Sequence, residues 1–269
     1  MTTIALTSSQ PAAAVATAPM PLRRVLGAYV AESWFETKRH LKAPAFAAPF
    51  LIIPVALYMF FTSLGGDPAQ VPKPELRLPI RMFTGFGMMG VMGPALFAFG
   101  MAVAIDRDFG LLRLKRALPM PPMAYLAAKM VMAVLFSALV MLSMSLAAVL
   151  KGLDLTAVQL LSVSAIGVVG TLPFAAIGLF IGAKVSGRTA PAWVNLAYIP
   201  MTYLSGLFFP VPESIRAIAL ASPAFHLNQL ALHVAGVGAI MPVTMHAAAL
   251  LGVTVLFAGL AAWRVTRMG

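Results

Sequence analysis

Residues 83–105 read FTGFGMMGVMGPALFAFGMAVAI, and this stretch decides the fold class because it contains no charged residue. An α-helix rises about 1.5 Å per residue, so the stretch would be about 34 Å long, enough to cross a hydrocarbon layer of about 30 Å. Similar runs without Asp, Glu, Lys or Arg occur at residues 45–64, 130–150, 157–183, 192–209 and 243–263. The sequence therefore predicts six transmembrane helices.

The composition of the whole chain agrees with a membrane protein. Of the 269 residues, 61% are hydrophobic and 10% are charged, whereas about 25% of the residues of a soluble domain are charged. A membrane β-barrel would show alternating segments of about 10 residues, which differ from these continuous apolar runs. The predicted fold class is all-α.

The positions of lysine and arginine predict the orientation in the membrane. Most of the 19 basic residues fall on one side if the N-terminus and the loops after the second and fourth spans share that side. The positive-inside rule makes that side the cytoplasm, so both termini are expected there. The net charge of +11 is explained by this asymmetry, and no nucleic-acid partner is expected.

The N-terminal part of the chain divides into two segments. Residues 1–21 are rich in Ala, Thr, Ser and Pro and carry no charge, which predicts a disordered cytoplasmic tail rather than a signal peptide. Residues 22–269 are expected to form one six-span domain.

An amphipathic helix is predicted between residues 22 and 42, where apolar residues return every three or four positions. It is expected to lie along the cytoplasmic membrane surface, either as a simple anchor or also in contact with a cytoplasmic partner. The residues expected to make this helix interfacial are Arg24, Tyr29, Trp34, Phe35, Lys38 and Arg39.

The chain lacks the motifs of several kinds of catalytic site. It has no cysteine, no His-Glu-x-x-His zinc motif and no P-loop. We therefore expect it to bind no metal and no cofactor and not to hydrolyse ATP by itself.

A short basic amphipathic helix is predicted in the loop after the second span, where leucines alternate with Arg113, Lys115 and Arg116. Pro119 is expected to end it. Such a helix can bury its leucines in a groove of a soluble partner, although a basic turn that only obeys the positive-inside rule would look similar. The loop resembles that of the type-2 ABC transporter permeases, in which an acidic and basic cluster and a glycine precede a short Leu/Arg-rich helix and a proline.

A second segment supports the same resemblance. Residues 203–212 read YLSGLFFPVP and are similar to the end of the fifth span in these permeases. Ser222–Pro223 follows where the family usually has Asn-Pro. The prolines interrupt an apolar stretch and predict a short re-entrant pair of helices between the fifth and sixth spans. Its marker residues are Ser205, Gly206, Phe208, Phe209, Pro210 and Pro223.

The resemblance implies a half-transporter in a bacterial cytoplasmic (inner) membrane. Two permease copies, identical or paralogous, would form the pathway, and two cytoplasmic ATP-binding subunits would carry the ATP and Mg²⁺. The amphipathic helix near Trp34 would flank the contact with the ATPase. The coupling helix seated on that subunit would contain Phe109, Gly110, Leu111, Leu112, Arg113, Leu114, Arg116 and Pro119.

Members of this family export drugs, antibiotics, lipid-linked molecules or polysaccharides, and some resemble sodium extruders. Methionines and aromatics in the spans suit a hydrophobic or amphiphilic substrate such as a drug, antibiotic or lipid, although methionine also simply fills gaps between helices. The residues expected along the substrate path are Met88, Met92, Phe97, Asn195 and Tyr203.

Two other classes of protein stay open at this point. An ion-coupled secondary transporter would need a charged or polar site at mid-membrane, and the eight acidic residues all lie in tails, in loops or at the ends of predicted spans. A membrane-embedded lipid-modifying enzyme would need clustered acids or a nucleophile beside a base. Asp106 and Asp108 are the only candidate pair for such a site.

Overall fold

The computed structural model describes residues 20–64, 77–111, 114–115, 121, 124–207 and 211–267. These residues form helices and no strand, which confirms the all-α prediction. The predicted disordered tail lies outside the described residues, apart from its last two positions. The helices are α1 (Leu22–Leu41), α2 (Pro44–Leu64), α3 (Leu78–Asp108), α4 (Ala124–Leu150), α5 (Ala157–Val169), α6 (Thr171–Lys184), α7 (Ala190–Leu204), α8 (Glu213–Ala219), α9 (Pro223–Val234) and α10 (Val243–Arg267).

Five segments of the described chain are long and apolar enough to cross a membrane. They are Ala47–Leu64, Leu78–Asp108, Ala124–Leu150, Ala157–Lys184 (α5 and α6 together) and Val243–Arg264. The predicted fifth span corresponds to α7, which has 15 residues and is therefore only about 22 Å long. Residues 208 and 209 at the end of that predicted span lie outside the described part, so the count of six stays a prediction.

Helix α3 is the central helix, because it is buried over most of its length and packs on α6, α4, α2 and α7. Glycines allow the closest of these contacts. A Cβ atom built on Gly182 of α6 would lie 2.7 Å from the carbonyl oxygen of Gly100 and 2.9 Å from that of Phe99. The backbones of α3 and α6 therefore touch directly, as small residues permit in membrane proteins.

Two short helices, α8 and α9, occur between α7 and α10, where the re-entrant hairpin is predicted. Their re-entry into the membrane stays a prediction. Helix α9 is enclosed by α10, α5, α3 and α7, and most of its side chains are buried. A hydrogen bond of 2.9 Å connects α9 to the end of α7, in which Asn228 Nδ2 donates to the carbonyl oxygen of Ser205. Gly206 ends α7 with a φ of +74°, a conformation that favours glycine.

Candidate functional site

Helix α1 turns its apolar side outward and a polar side toward α4. The residues Leu22, Leu26, Val30 and Trp34 recur every fourth position and are all exposed, whereas Glu36, Thr37 and His40 are buried. An exposed apolar stripe on a helix beside membrane spans is typical of an interfacial helix. Of the other predicted interfacial residues, Tyr29 is half-buried, while Arg24, Phe35, Lys38 and Arg39 are exposed.

Lys129 of α4 lies between two buried carboxylates. Its Nζ atom is 3.2 Å from Glu36 Oε2 of α1 and 3.3 Å from Asp106 Oδ2 of α3. The side chains of Lys129 and Glu36 are fully buried and that of Asp106 is 2% exposed. Because isolated charges are very costly to bury, this triad holds the ends of three helices in one arrangement.

Further groups complete a charged network around the triad. Tyr125 donates a hydrogen bond of 2.7 Å to Asp106 Oδ2, and Arg39 NH1 lies 3.5 Å from Asp106 Oδ1. The charges balance, since three acids meet three cations. We use the name charged network for Glu32, Glu36, Arg39, Asp106, Lys115, Tyr125 and Lys129.

Lys115 connects the predicted coupling segment to this network. Its Nζ atom forms an ion pair with Glu32 and lies 3.5 Å from Glu36 Oε1. It also lies 4.5 Å from the centre of the Tyr125 ring, a cation–π contact. The loop after α3 is therefore connected to α1 and α4 through one half-buried cation.

His40 borders the network as a neutral group. Its Nδ1 donates a hydrogen bond of 2.9 Å to the carbonyl oxygen of Glu36. Burial, assisted by the nearby Lys129 charge, lowers the pKa of His40 below its usual value. At neutral pH the ring therefore adds no charge to the balanced network.

The predicted coupling segment presents apolar side chains outward. Phe109 is 85% exposed and Leu114 is 60% exposed, and the amide of Leu114 donates to the carbonyl of Gly110 at 3.1 Å, which closes one helical turn. Gly110 has a φ of +71° and ends α3. Leu111 is half-buried. Leu112, Arg113, Arg116 and Pro119 lie outside the described residues.

Arg107 and Asp108 attach the loop after α6 to the same end of α3. Arg107 donates to the carbonyl oxygens of Ala183 and Val185 at 3.0 and 2.7 Å, and Asp108 Oδ2 accepts from the amide of Gly187 at 2.6 Å. Asp106 and Asp108 thus bind different partners and do not converge on one point. No group of three His, Cys, Asp or Glu side chains suited to a metal occurs in the described part of the chain.

The residues predicted for the substrate path fall into two sets. Met88 and Met92 are enclosed in the hydrophobic core, and Phe97 lies between the rings of Phe50 and Tyr198. Asn195 and Tyr203 are exposed on α7.

The markers of the hairpin occupy its two ends. Ser205 and Gly206 end α7, and Pro223 begins α9. Phe208, Phe209 and Pro210 lie outside the described residues.

Sequence reasoning missed the charged network as a unit. The third span was predicted to begin at residue 130, which placed Lys129 in the preceding loop, but α4 begins at Ala124 and includes Lys129. The helix extends beyond the predicted span because Lys129, a charged residue, is tolerated inside the helix once Glu36 and Asp106 neutralise it. The available signal was the pair of charges, Asp106 and Lys129, at the two ends of one loop.

Two comparisons with known proteins bear on this arrangement. The family model described as ABC-2 type transporter matches residues 27–235, a range that includes the whole charged network. A protein of Bacillus subtilis (strain 168) named "Putative transport permease YvfS" is 25% identical over 202 residues, which are 73% of this chain and 81% of that protein.

Proposed function

This chain belongs to the ABC-2 type transporter family and is a membrane permease of an ABC transporter, and from that premise we propose that it is the transmembrane subunit of an ATP-driven exporter. The family implies association with an ABC ATP-binding subunit. In the proposal, two permease copies associate with two such subunits, which bind ATP and Mg²⁺. The assembly lies in a bacterial cytoplasmic membrane with both termini of the permease in the cytoplasm.

The charged network carries this proposal. It joins α1, the ends of α3 and α4, and Lys115 of the loop into one unit through buried ion pairs. Exposed Phe109 and Leu114 lie on that same loop. A partner that binds these two side chains would therefore move the three helices together, and not the loop alone. Rigid-body coupling requires such a joint movement.

Helix α1 has two roles in the proposal. Its exposed apolar stripe lies in the membrane surface, and its polar side flanks the contact with the ATP-binding subunit. A cleft of about 400 Å³ between α1 and α4 is lined by Tyr29, Trp34, Val131 and Leu135, among others. Aromatic and aliphatic lining at this position is suited to lipid.

We propose a hydrophobic or amphiphilic substrate, such as a drug, an antibiotic or a lipid. The exposed side of α7, with Asn195 and Tyr203, is the proposed wall of the path, because a polar amide on an exposed helix needs a partner other than lipid. Met88 and Met92 lie in the core, and we assign them a packing role beside the path.

The test is co-purification of the ATP-binding subunit with the tagged permease in mild detergent, together with the ATPase activity of the eluate. We expect Phe109→Asp and Leu114→Asp to lose most of the partner, because each places a charge in an apolar contact. Both side chains are exposed, so the permease itself should remain folded. Transport direction is measured as ATP-dependent uptake of a fluorescent amphiphile into inverted membrane vesicles.

The matched control is Ile240→Asp, which changes an exposed apolar residue between α9 and α10. It should retain the partner at the ratio of the unchanged protein. Full retention of the partner by Phe109→Asp and Leu114→Asp would show that the coupling segment is wrongly assigned.

A further inference from the structure

Two histidines of the hairpin region are in direct contact. His226 Nδ1 of α9 lies 2.8 Å from His246 Nδ1 of α10, and His226 Nε2 lies 2.9 Å from the carbonyl oxygen of Leu220, the residue that ends α8. His226 is 7% exposed and His246 is fully buried. One chain of hydrogen bonds thus connects α8, α9 and α10.

This chain determines which ring nitrogens carry protons. A carbonyl only accepts, so His226 Nε2 carries a proton and donates it to Leu220. A neutral imidazole carries one proton, which leaves His226 Nδ1 as an acceptor. His246 Nδ1 must then be the donor, and its Nε2 is unprotonated. Two neutral rings with two N–H groups satisfy both bonds.

An additional proton disturbs this arrangement in either position. On His226 Nδ1 it would place two donors against each other and break the bond between the rings. On His246 Nε2 it would keep the bond but bury a positive charge, which is costly without a counter-charge. That nitrogen is buried and has no hydrogen-bond partner in the described chain. The backbone carbonyl of Met241 is the nearby group that would attract an added proton.

Among the described residues of the helices that pack around the pair, no unpaired carboxylate faces the two rings. In α8, Glu213 is largely exposed and pairs with Arg216 at 3.2 Å. His233 is a further titratable side chain of α9, and it is exposed. The sequence of α5 has no titratable residue, and α10 has none besides His246 before Arg264. The other titratable groups on packed elements are Arg77 and Arg81 at the start of α3, Asp106, Arg107 and Asp108 at its other end, Lys184 of α6, and Tyr198 and Tyr203 of α7.

We propose that His226 and His246 form an acid-sensitive latch, which holds the α8–α9 hairpin against α10 while both rings are neutral. A proton on His226 Nδ1 releases it by breaking the bond between the rings, and a proton on His246 releases it because the charged ring is driven out of its buried position toward water. The consequence is a hairpin that opens as pH falls. The inference concerns the fold of this chain and its test does not require the proposed transport function.

The test uses the absence of cysteine from the chain. Cysteines introduced at the exposed positions Ile218 of α8 and Leu251 of α10 are spin-labelled, and their separation is measured in lipid nanodiscs by pulsed electron resonance. We expect one narrow distance distribution at about pH 8 and a shift to longer, broader distances at about pH 5, the range in which histidine titrates.

His246→Asn should keep the neutral-pH distance and lose the pH response. The amide donates to His226 Nδ1 while that nitrogen is unprotonated, and its oxygen can accept from the same nitrogen once it gains a proton. His226→Gln is the second variant and should also lose the response. His233→Asn, an exposed histidine of the same helix, and His40→Asn at the network should retain it. Distances that do not change with pH in the parent, or a response that survives in both latch variants, would overturn the proposal.

A second measurement on the unchanged pair needs no variant at these positions. Nitrogen-15 NMR of the histidine rings at neutral pH should show the Nε2–H tautomer for His226 and the Nδ1–H tautomer for His246. Charged rings at neutral pH, or the opposite tautomers, would contradict the latch.

Discussion

Lys129 is the single side chain on which the charged network depends. Its ammonium group is shared by Glu36 and Asp106 at 3.2 and 3.3 Å, and all three groups are out of contact with solvent. Burying the three charges is compensated by their mutual attraction, so the network adds little net stability compared with apolar packing. Its effect is to favour one arrangement of the three helices, because any other arrangement would leave buried charges unpaired and so have a higher free energy.

Removing Lys129 should therefore destabilise the protein strongly. Lys129→Met leaves two carboxylates buried with fewer cations, and breaking a buried pair in this way costs about 3–5 kcal/mol. We expect a clear fall in the midpoint of thermal unfolding in detergent, measured by size-exclusion chromatography of heated samples.

A second substitution tests whether the loss comes from unpaired charge. Glu36→Gln combined with Lys129→Met removes one charge of each sign and should recover part of the midpoint. Arg216→Gln, which breaks an exposed pair with Glu213, is the control and should change the midpoint little. A double variant less stable than Lys129→Met alone would contradict the charge-balance explanation.

At the scale of elements, the contact between α3 and α6 depends on the absence of side-chain atoms. The Cβ position of Gly182 is 2.7 Å from a backbone oxygen of α3, and that of Gly178 is 2.8 Å from the carbonyl oxygen of Leu96. A backbone atom cannot rotate away as a side chain can. The two helices would have to separate to admit a methyl group.

Gly182→Ala should consequently lower stability by roughly 1–3 kcal/mol, the range for overpacking of a well-packed core. The matched controls are Gly252→Ala and Gly259→Ala in α10, where nothing lies within 4 Å of the added Cβ. These controls should be neutral or slightly stabilising, because alanine has the higher helix propensity. Equal midpoints of thermal unfolding for Gly182→Ala and the controls would show that α3 and α6 are less tightly packed than described.

At the scale of the whole molecule, two exposed helix faces differ in chemistry. Helix α4 exposes a row of leucines, Leu135, Leu139, Leu142 and Leu146, which suits lipid. Helix α7 exposes Trp193, Asn195 and Ile199, so its apolar surface is interrupted by an amide that lipid cannot satisfy. In the proposed assembly a second permease copy covers the α7 face, and the substrate path runs between the two copies.

Cysteine crosslinking distinguishes the two faces. Ile199→Cys should form a disulfide between two copies when membranes are oxidised. Leu142→Cys on α4 should not, because we expect lipid rather than a second copy beside this exposed residue. The products are separated by gel electrophoresis without reductant. Crosslinking of Leu142→Cys at the same yield, or none from Ile199→Cys, would place the interface elsewhere.

Much of the fold could be predicted from local sequence. The apolar runs predicted the helices, and the prolines near residues 210 and 223 predicted the pair of short helices now seen as α8 and α9. The lengths of the helices could not be predicted in the same way, because a hydropathy pattern places the end of a span at the first charged residue. Lys129 and Asp106 show that a helix continues through a charge when a partner neutralises it.

The amphipathic pattern of α1 was also visible in sequence, but its buried partners were not. The sequence predicted an interfacial helix with cations on one side, and the structure shows Glu36 and His40 facing α4. Likewise His226 and His246 stand 20 positions apart, and no local pattern relates them.

The sequence by itself determined that this chain is helical and crosses a membrane, because the free energy of moving a residue into lipid depends chiefly on that residue and its near neighbours. Only the tertiary structure decided which charges and rings meet. Glu36 reaches Lys129 across 93 positions and Glu32 reaches Lys115 across 83. Such pairs form where distant helices pack side by side, and that packing is a property of the whole fold.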